Sequence, residues 1–167
     1  MVDQEFQNYI DSVVSLRHET CSLVGVYRFT LEDVDTGEKT VQYYTNLVPT
    51  VGRQLIANNL ASASPTNTMK ITHAALGSST TAPANTDTQL TTETYRNAIA
   101  STSNSANIAY ATAFYSQTET SGTYKEAGIF CNATGTANSG ILLSHVSIDV
   151  TKSTSQKLTV DWTLTIT

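Results

Sequence analysis

The sequence predicts a mainly-β fold, an antiparallel β-sandwich or meander with one or two short helices, and three observations carry the prediction. From Leu158 to Ile166 every even position is apolar and every odd position is Thr or Asp. That period-2 alternation turns one face of a strand to a core and the other to water. Ser and Thr together make up more than a quarter of the chain, while charged residues are 14%, against about 25% in ordinary soluble domains. Hydroxyls therefore supply the polar faces. At 167 residues the chain is long enough to bury one sizeable core without disulfides or a structural metal.

The elements follow in order. Phe6, Tyr9, Ile10, Val13 and Leu16 recur at helical spacing, so residues 1–20 read as a helix packed on the domain or an arm docking on a neighbouring subunit. Residues 21–167 read as a single β-sandwich-like domain. Residues 24–33 and 38–44 flank Asp35-Thr36-Gly37, a hairpin turn in which Gly supplies a positive φ. Residues 51–61 place Val51, Leu55, Ile56 and Leu60 on one face of a short helix, with Thr50 as the candidate N-cap. Residues 70–76 read as a strand, and residues 77–92, which lack periodicity, as a long ordered loop. Residues 108–115 and 124–131 read as strands paired across residues 118–122. Residues 142–150 and 158–166 form two more, joined by a turn at 151–155.

Charge excludes several partners. Residues 1–50 carry eight acids and three bases, whereas residues 51–167 carry six of each. No Lys/Arg cluster exists to neutralise a run of phosphates, so no nucleic-acid partner is expected. No stretch approaches the ~20 apolar residues of a membrane helix, and the acidic opening MVDQEFQNYID lacks the pattern of a secretory signal. The expectation is a protein made in the cytoplasm, without membrane contact.

A search for chemistry returns no catalytic, cofactor or metal site. His18, His73 and His145 lie in no nucleophile motif, and His73 and His145 read as surface or internally satisfied strand residues. His18 and Cys21 are half of a zinc pattern that Cys131 and His145 do not complete. The two cysteines read as free buried thiols. The acids around Asp33, Asp35 and Glu38 miss the calcium-loop spacing and suit a hairpin turn. Trp162, on the apolar side of its strand, reads as core.

Several segments, taken in sequence order, resemble structural proteins of tailed bacteriophages. Residues 71–90, ITHAALGSSTTAPANTDTQL, followed by Glu93-Thr-Tyr95-Arg96, are similar to a strand ending in ALG, a TTAP…DT-x-L loop and an E-x-Y-R segment. Lys125-Glu126-Ala127-Gly128-Ile129-Phe130 resembles an EAGIF strand. Residues 140–143, Thr151-Lys152 and residues 158–166 resemble the closing strands, and residues 46–53, NLVPTVGR, a lead-in to a helix. The resemblance spans residues 40–167. It implies a non-enzymatic virion protein on the particle exterior, with the tail fibre, baseplate or adaptor preferred and capsid decoration second. Its partners would be copies of itself, as a trimer on family grounds, and other virion proteins.

Within that expectation Phe6, Tyr9, Ile10 and Val13 are the assembly residues. Gly77, Pro83, Asp87, Arg96 and Glu126 are the residues anchoring the long loop, with an ion pair expected between Arg96 and Glu126. The alternative reading is a carbohydrate- or receptor-binding module used in host attachment, motivated by eight tyrosines and one tryptophan, whose rings can stack on sugars.

Overall fold

The computed structural model describes residues 22–62 and 65–167. The segment holding Phe6, Tyr9, Ile10, Val13, His18 and Cys21 lies outside the described residues. The order of elements is β1 (Leu23–Asp33), β2 (Lys39–Thr45), α1 (Thr50–Ala61), β3 (Ile71–Gly77), β4 (Glu93–Ser105), β5 (Ile108–Tyr115), β6 (Gly122–Cys131), β7 (Ile141–Lys152) and β8 (Gln156–Ile166).

The mainly-β antiparallel class stands. The eight strands form one sheet in the order β2-β1-β8-β5-β4-β3-β6-β7, and the sheet curls until its ends nearly meet. Past β2, Leu47 makes an antiparallel bridge to His145 on β7. The Tyr44 hydroxyl also accepts from Asp149 N at 3.1 Å and reaches Asp149 O at 3.3 Å. One tyrosine thus substitutes for a ladder bond across the seam, where bare edges would otherwise face solvent.

Alternation sets the core. On β1, Tyr27, Phe29 and Leu31 point inward, opposite Trp162, Val160 and Leu158 of β8 in register. A one-residue slip would turn both apolar rows to water, so this register is strongly specified. The Trp162 indole, fully buried, faces Ala111 of β5, and Val160 faces Ala113. Small residues there leave room for the large rings, as close packing requires. Two tyrosine hydroxyls reach across the interior, Tyr27 to Ser144 Oγ at 2.9 Å and Tyr115 to the Ala74 carbonyl at 2.9 Å. Buried hydroxyls need such partners.

Pairing departs from the meander in two places. β5 does not pair with β6, but with β4 and β8, while β6 lies between β3 and β7. β7 and β8, joined by a short turn, are not neighbours either. Each has an apolar row, and the two rows are buried in the same core cluster rather than lying side by side in one ladder. Strand β4 was not expected at all. Residues 100–105 are exposed on both faces, so no alternation marks them.

The front hairpin follows the sequence. Asp33 Oδ1 accepts from the amides of Asp35 and Thr36, and Gly37 has φ 71°, a conformation glycine adopts without steric cost. The helix differs in its start, because Pro49 occupies the cap position and Thr50 is the first helical residue, with no side-chain cap. Thr50 N donates instead to Asn85 O in the long loop. Only Gly52 and Leu55 are buried on α1, and Leu60 is 84% exposed.

Candidate functional site

The outer face of β3, β4, β6 and β7 carries a second layer. Ala75, Leu90, Phe130 and Leu142 form a small apolar cluster there, packed by Val51 from α1. Leu90, fully buried, belongs to residues 78–92. The long loop is thus pinned at its apolar end by one leucine, as a segment without a core of its own needs.

Its polar anchoring centres on Glu126, which is fully buried on β6. The carboxylate accepts from Thr92 N at 2.6 Å through Oε1 and from Thr91 N at 3.0 Å through Oε2. His145 of β7, also fully buried, places Nε2 3.0 Å from Glu126 Oε2 and Nδ1 2.8 Å from Asp87 Oδ2. Asp87 in turn accepts from Ala84 N at 2.7 Å, closing a local turn just after the half-buried Pro83. Asn85 ties the loop to α1 through Arg53 Nη2 at 3.2 Å. Gly77 is required by approach rather than by φ. A Cβ there would lie 2.5 Å from Glu126 Oε1 and 2.6 Å from Thr92 O.

Arg96 belongs to the same layer but not to Glu126. Its guanidinium grips Glu93 in a bidentate pair, Nε to Oε1 at 2.5 Å and Nη2 to Oε2 at 2.7 Å, with both side chains nearly inaccessible. Nη1 donates to Thr134 O and Ser139 O, and the group lies 4.7 Å above the Phe130 ring. Glu93 Oε2 also accepts from Asn138 N. The expected Arg96–Glu126 ion pair is therefore replaced by Arg96–Glu93. The cause is a register shift between Leu76 and Gly77 in the β3–β4 ladder. Residues 93 and 96 fall on opposite faces of a regular strand, and the irregularity at Thr94 brings both outward.

The structure brings Gly77, Asp87 and Glu126 together, sets Arg96 beside them on the same face, and leaves Pro83 in the loop without a polar role. Sequence reasoning missed His145 and Glu93 as members. His145 sits on the outward side of its strand, as its alternation indicates, but only the folded-back loop buries it. Chemically, the site locks. Both ring nitrogens of His145 are engaged by carboxylates, and Ser144 Oγ is held by Tyr27. Among the described residues no cluster of three or more His, Cys, Asp or Glu is arranged to hold a metal.

A second feature lies on the outer face of β2, β1, β8 and β5. Tyr43, 66% exposed, and Tyr110 flank a groove of about 290 Å³ with Val26, Thr112 and Thr163 in its walls. Its floor carries an ion pair, Arg28 Nη2 to Asp161 Oδ2 at 2.6 Å, and Thr112 Oγ1 donates to Asp161 Oδ1 at 2.7 Å. Trp162 lines this region only from the core side, its ring being fully buried. Compared with protein-family models, curated proteins and solved structures, the chain matches none of them.

Proposed function

We propose that this chain is a non-enzymatic structural protein of a tailed-phage virion, assembling as an oligomer on the particle exterior. Tail fibre, baseplate or adaptor is preferred over capsid decoration. One observation carries the reading. The residues on which the virion resemblance rests lie on one face in two adjacent polar networks: Asp87 and Glu126, beside Gly77, fix the 78–92 loop to the barrel wall, and Glu93 and Arg96 fix residues 134–139. A particle component needs a rigid, shaped surface. A buried, satisfied polar network supplies rigidity and a unique arrangement. Both nitrogens of His145 being held by carboxylates also favours scaffold over general base, because neither is free to take a substrate proton. Lys152 has a matching role. Its buried ammonium donates to Thr120 O at 2.9 Å and Glu119 O at 3.3 Å, holding another connection to β7.

Immunogold labelling of purified particles with an antibody to this chain tests the proposal. Gold on the tail or its tip supports the preferred location, and gold over the head moves the protein to capsid decoration. Its absence from particles by labelling and mass spectrometry overturns the reading.

The alternative, a carbohydrate- or receptor-binding module, is favoured by the Tyr43–Tyr110 groove. The exposed Tyr43 ring and the half-buried Tyr110 ring beside an Arg–carboxylate pair provide stacking surfaces and polar contacts for one sugar ring. A glycan array probed with the soluble protein tests it. Binding that disappears in Tyr43→Ala supports the groove, and silence across the array retires it.

A further inference from the structure

The far half of β4 is an open edge. β3 pairs with β4 only as far as Ala98, while β5 continues along it to Ser105. On the β3 side of residues 99–105 no strand is paired among the described residues, and Lys70, Ile71 and Thr72 stand off from residues 99–102 across an open cleft of about 370 Å³. The edge is also rigid. β4 and β5 join through the two-residue turn Ala106-Asn107, where Ala106 has φ 48°, and Asn107 is clamped to β8 by Ile166 N→Asn107 O at 3.0 Å and Asn107 Nδ2→Ile166 O at 2.5 Å. A two-residue turn makes Ser105–Ile108 the doubly hydrogen-bonded closing pair. Counting back by two, the main-chain N–H and C=O groups of Thr102 and Asn104 point away from β5, into the open edge.

Natural edges are blunted with lysine, proline or inward charges because bare ones recruit other strands. The strand itself carries none of these, although Lys70 stands beside it in the cleft that it shares with Thr102. Residues 97–118 contain no Asp, Glu, Lys, Arg or His, and no proline. In a chain of net charge −5, two copies repel wherever acidic surfaces meet. They meet along this ribbon without charge.

We infer that the open edge of β4 is an interface between copies of this chain, residues 100–105 of one pairing antiparallel with residues 100–105 of a second across a two-fold axis. The pattern is self-complementary, since the outward donors and acceptors of Thr102 on one copy can meet those of Asn104 on the other. Small Ser, Thr and Asn side chains on both faces let the backbones approach. The inference rests on the oligomeric reading proposed above and names the surface it uses, with a two-fold pair in place of the trimer that the family resemblance implies.

The test is sedimentation velocity of the full chain over a concentration series, for wild type, Thr102→Pro and Asn104→Pro. Proline removes an outward N–H without touching the ladder to β5. The expected result is a wild-type oligomer whose dissociation constant rises at least tenfold in each variant, with the far-ultraviolet circular dichroism of the barrel retained. Amide hydrogen exchange keeps the test decisive if a variant misfolds. Thr102 and Asn104 of the wild type should become protected as concentration rises. An oligomer that survives both variants, or one whose Thr102 and Asn104 amides exchange freely, overturns the edge pairing and leaves the oligomeric reading standing. A wild type that is monomeric at every concentration overturns both, while particle labelling still decides the virion reading separately.

Discussion

His145 Nε2 lies 3.0 Å from Glu126 Oε2, both side chains being fully excluded from solvent. The contact joins two adjacent strands on the outside of the barrel, where an alternating strand would ordinarily meet water. It exists because the 78–92 loop folds back over it and supplies the remaining partners, Asp87 on one side and the amides of Thr91 and Thr92 on the other.

Removing the carboxylate should release that loop. Glu126→Ala leaves two amides without an acceptor and a buried imidazole nitrogen without its partner, a loss of about 3 kcal/mol or more. Urea denaturation should show the lower stability. Limited proteolysis should find new cleavage within residues 78–92. A cleavage pattern unchanged from wild type would show that Leu90 and the contacts of Asn85 and Asp87 hold the loop without Glu126.

Gly77→Ala should act on the same contact from the opposite side. The added methyl meets Glu126 Oε1 and the Thr92 carbonyl, one a buried side chain with three partners and the other backbone. Overpacking of this kind costs about 1–3 kcal/mol. Combining the change with Glu126→Ala should cost less than the sum of the two, since the clash with the carboxylate disappears.

Arg96→Ala strands Glu93, whose side chain is 1% exposed, and breaking a buried pair costs about 3–5 kcal/mol. Arg96→Lys should recover little, because an ammonium cannot reproduce the two parallel bonds to Glu93 and the donors to Thr134 and Ser139. A double-mutant cycle separates the partners. Coupling should appear between Arg96 and Glu93 and be absent between Arg96 and Glu126.

Stability should fall on the alkaline side. Burial raises the Cys131 thiol from its ordinary value near 9 to about 12, and burial also pushes the Tyr27 and Tyr115 hydroxyls upward. Each group keeps its proton in the folded state at a pH where the unfolded chain has lost it. The stability it contributes is complete below the unfolded value and is lost as pH rises toward the folded one. For Cys131 the loss is on the order of 4 kcal/mol by pH 12. The melting temperature should begin to drop above pH 9. In Cys131→Ala the drop should start about one pH unit later, where the tyrosines of the unfolded chain ionise.

Closing the sheet should depend in part on one hydroxyl, beside the Leu47–His145 bridge. Tyr44→Phe removes the bonds to Asp149 N and O while keeping the ring that packs edge-on against Phe29. A loss of about 1 kcal/mol is expected. Faster amide exchange at Asp149, measured by NMR, would place it at the seam.

Wherever one face is apolar and the other polar, the sequence already marks the strand and the side chains that face the core. β1 and β8 were legible for that reason, since alternation is a local property of the chain, and the Asp33–Gly37 turn was legible from its turn chemistry. β5 was legible as a strand but not in its core face, where Ala111, Ala113 and Tyr115 are buried and Phe114 is exposed, and at the start of β7 a register shift sends Leu143 to the main core and Leu142 to the outer cluster. Legibility ended where burial depends on what arrives from elsewhere. The far half of β4 has water on both faces and carries no pattern. The partners of β5 and β6 are set by how two apolar rows close one core, which is not written in either strand. His145 reads as an outward-facing polar residue and is buried only because a loop some sixty residues upstream folds over it. Glu93 and Arg96 share a face only because the ladder slips at Leu76 and Gly77. Tertiary structure decided these points, because a buried charge takes whichever partner the fold brings within hydrogen-bonding distance.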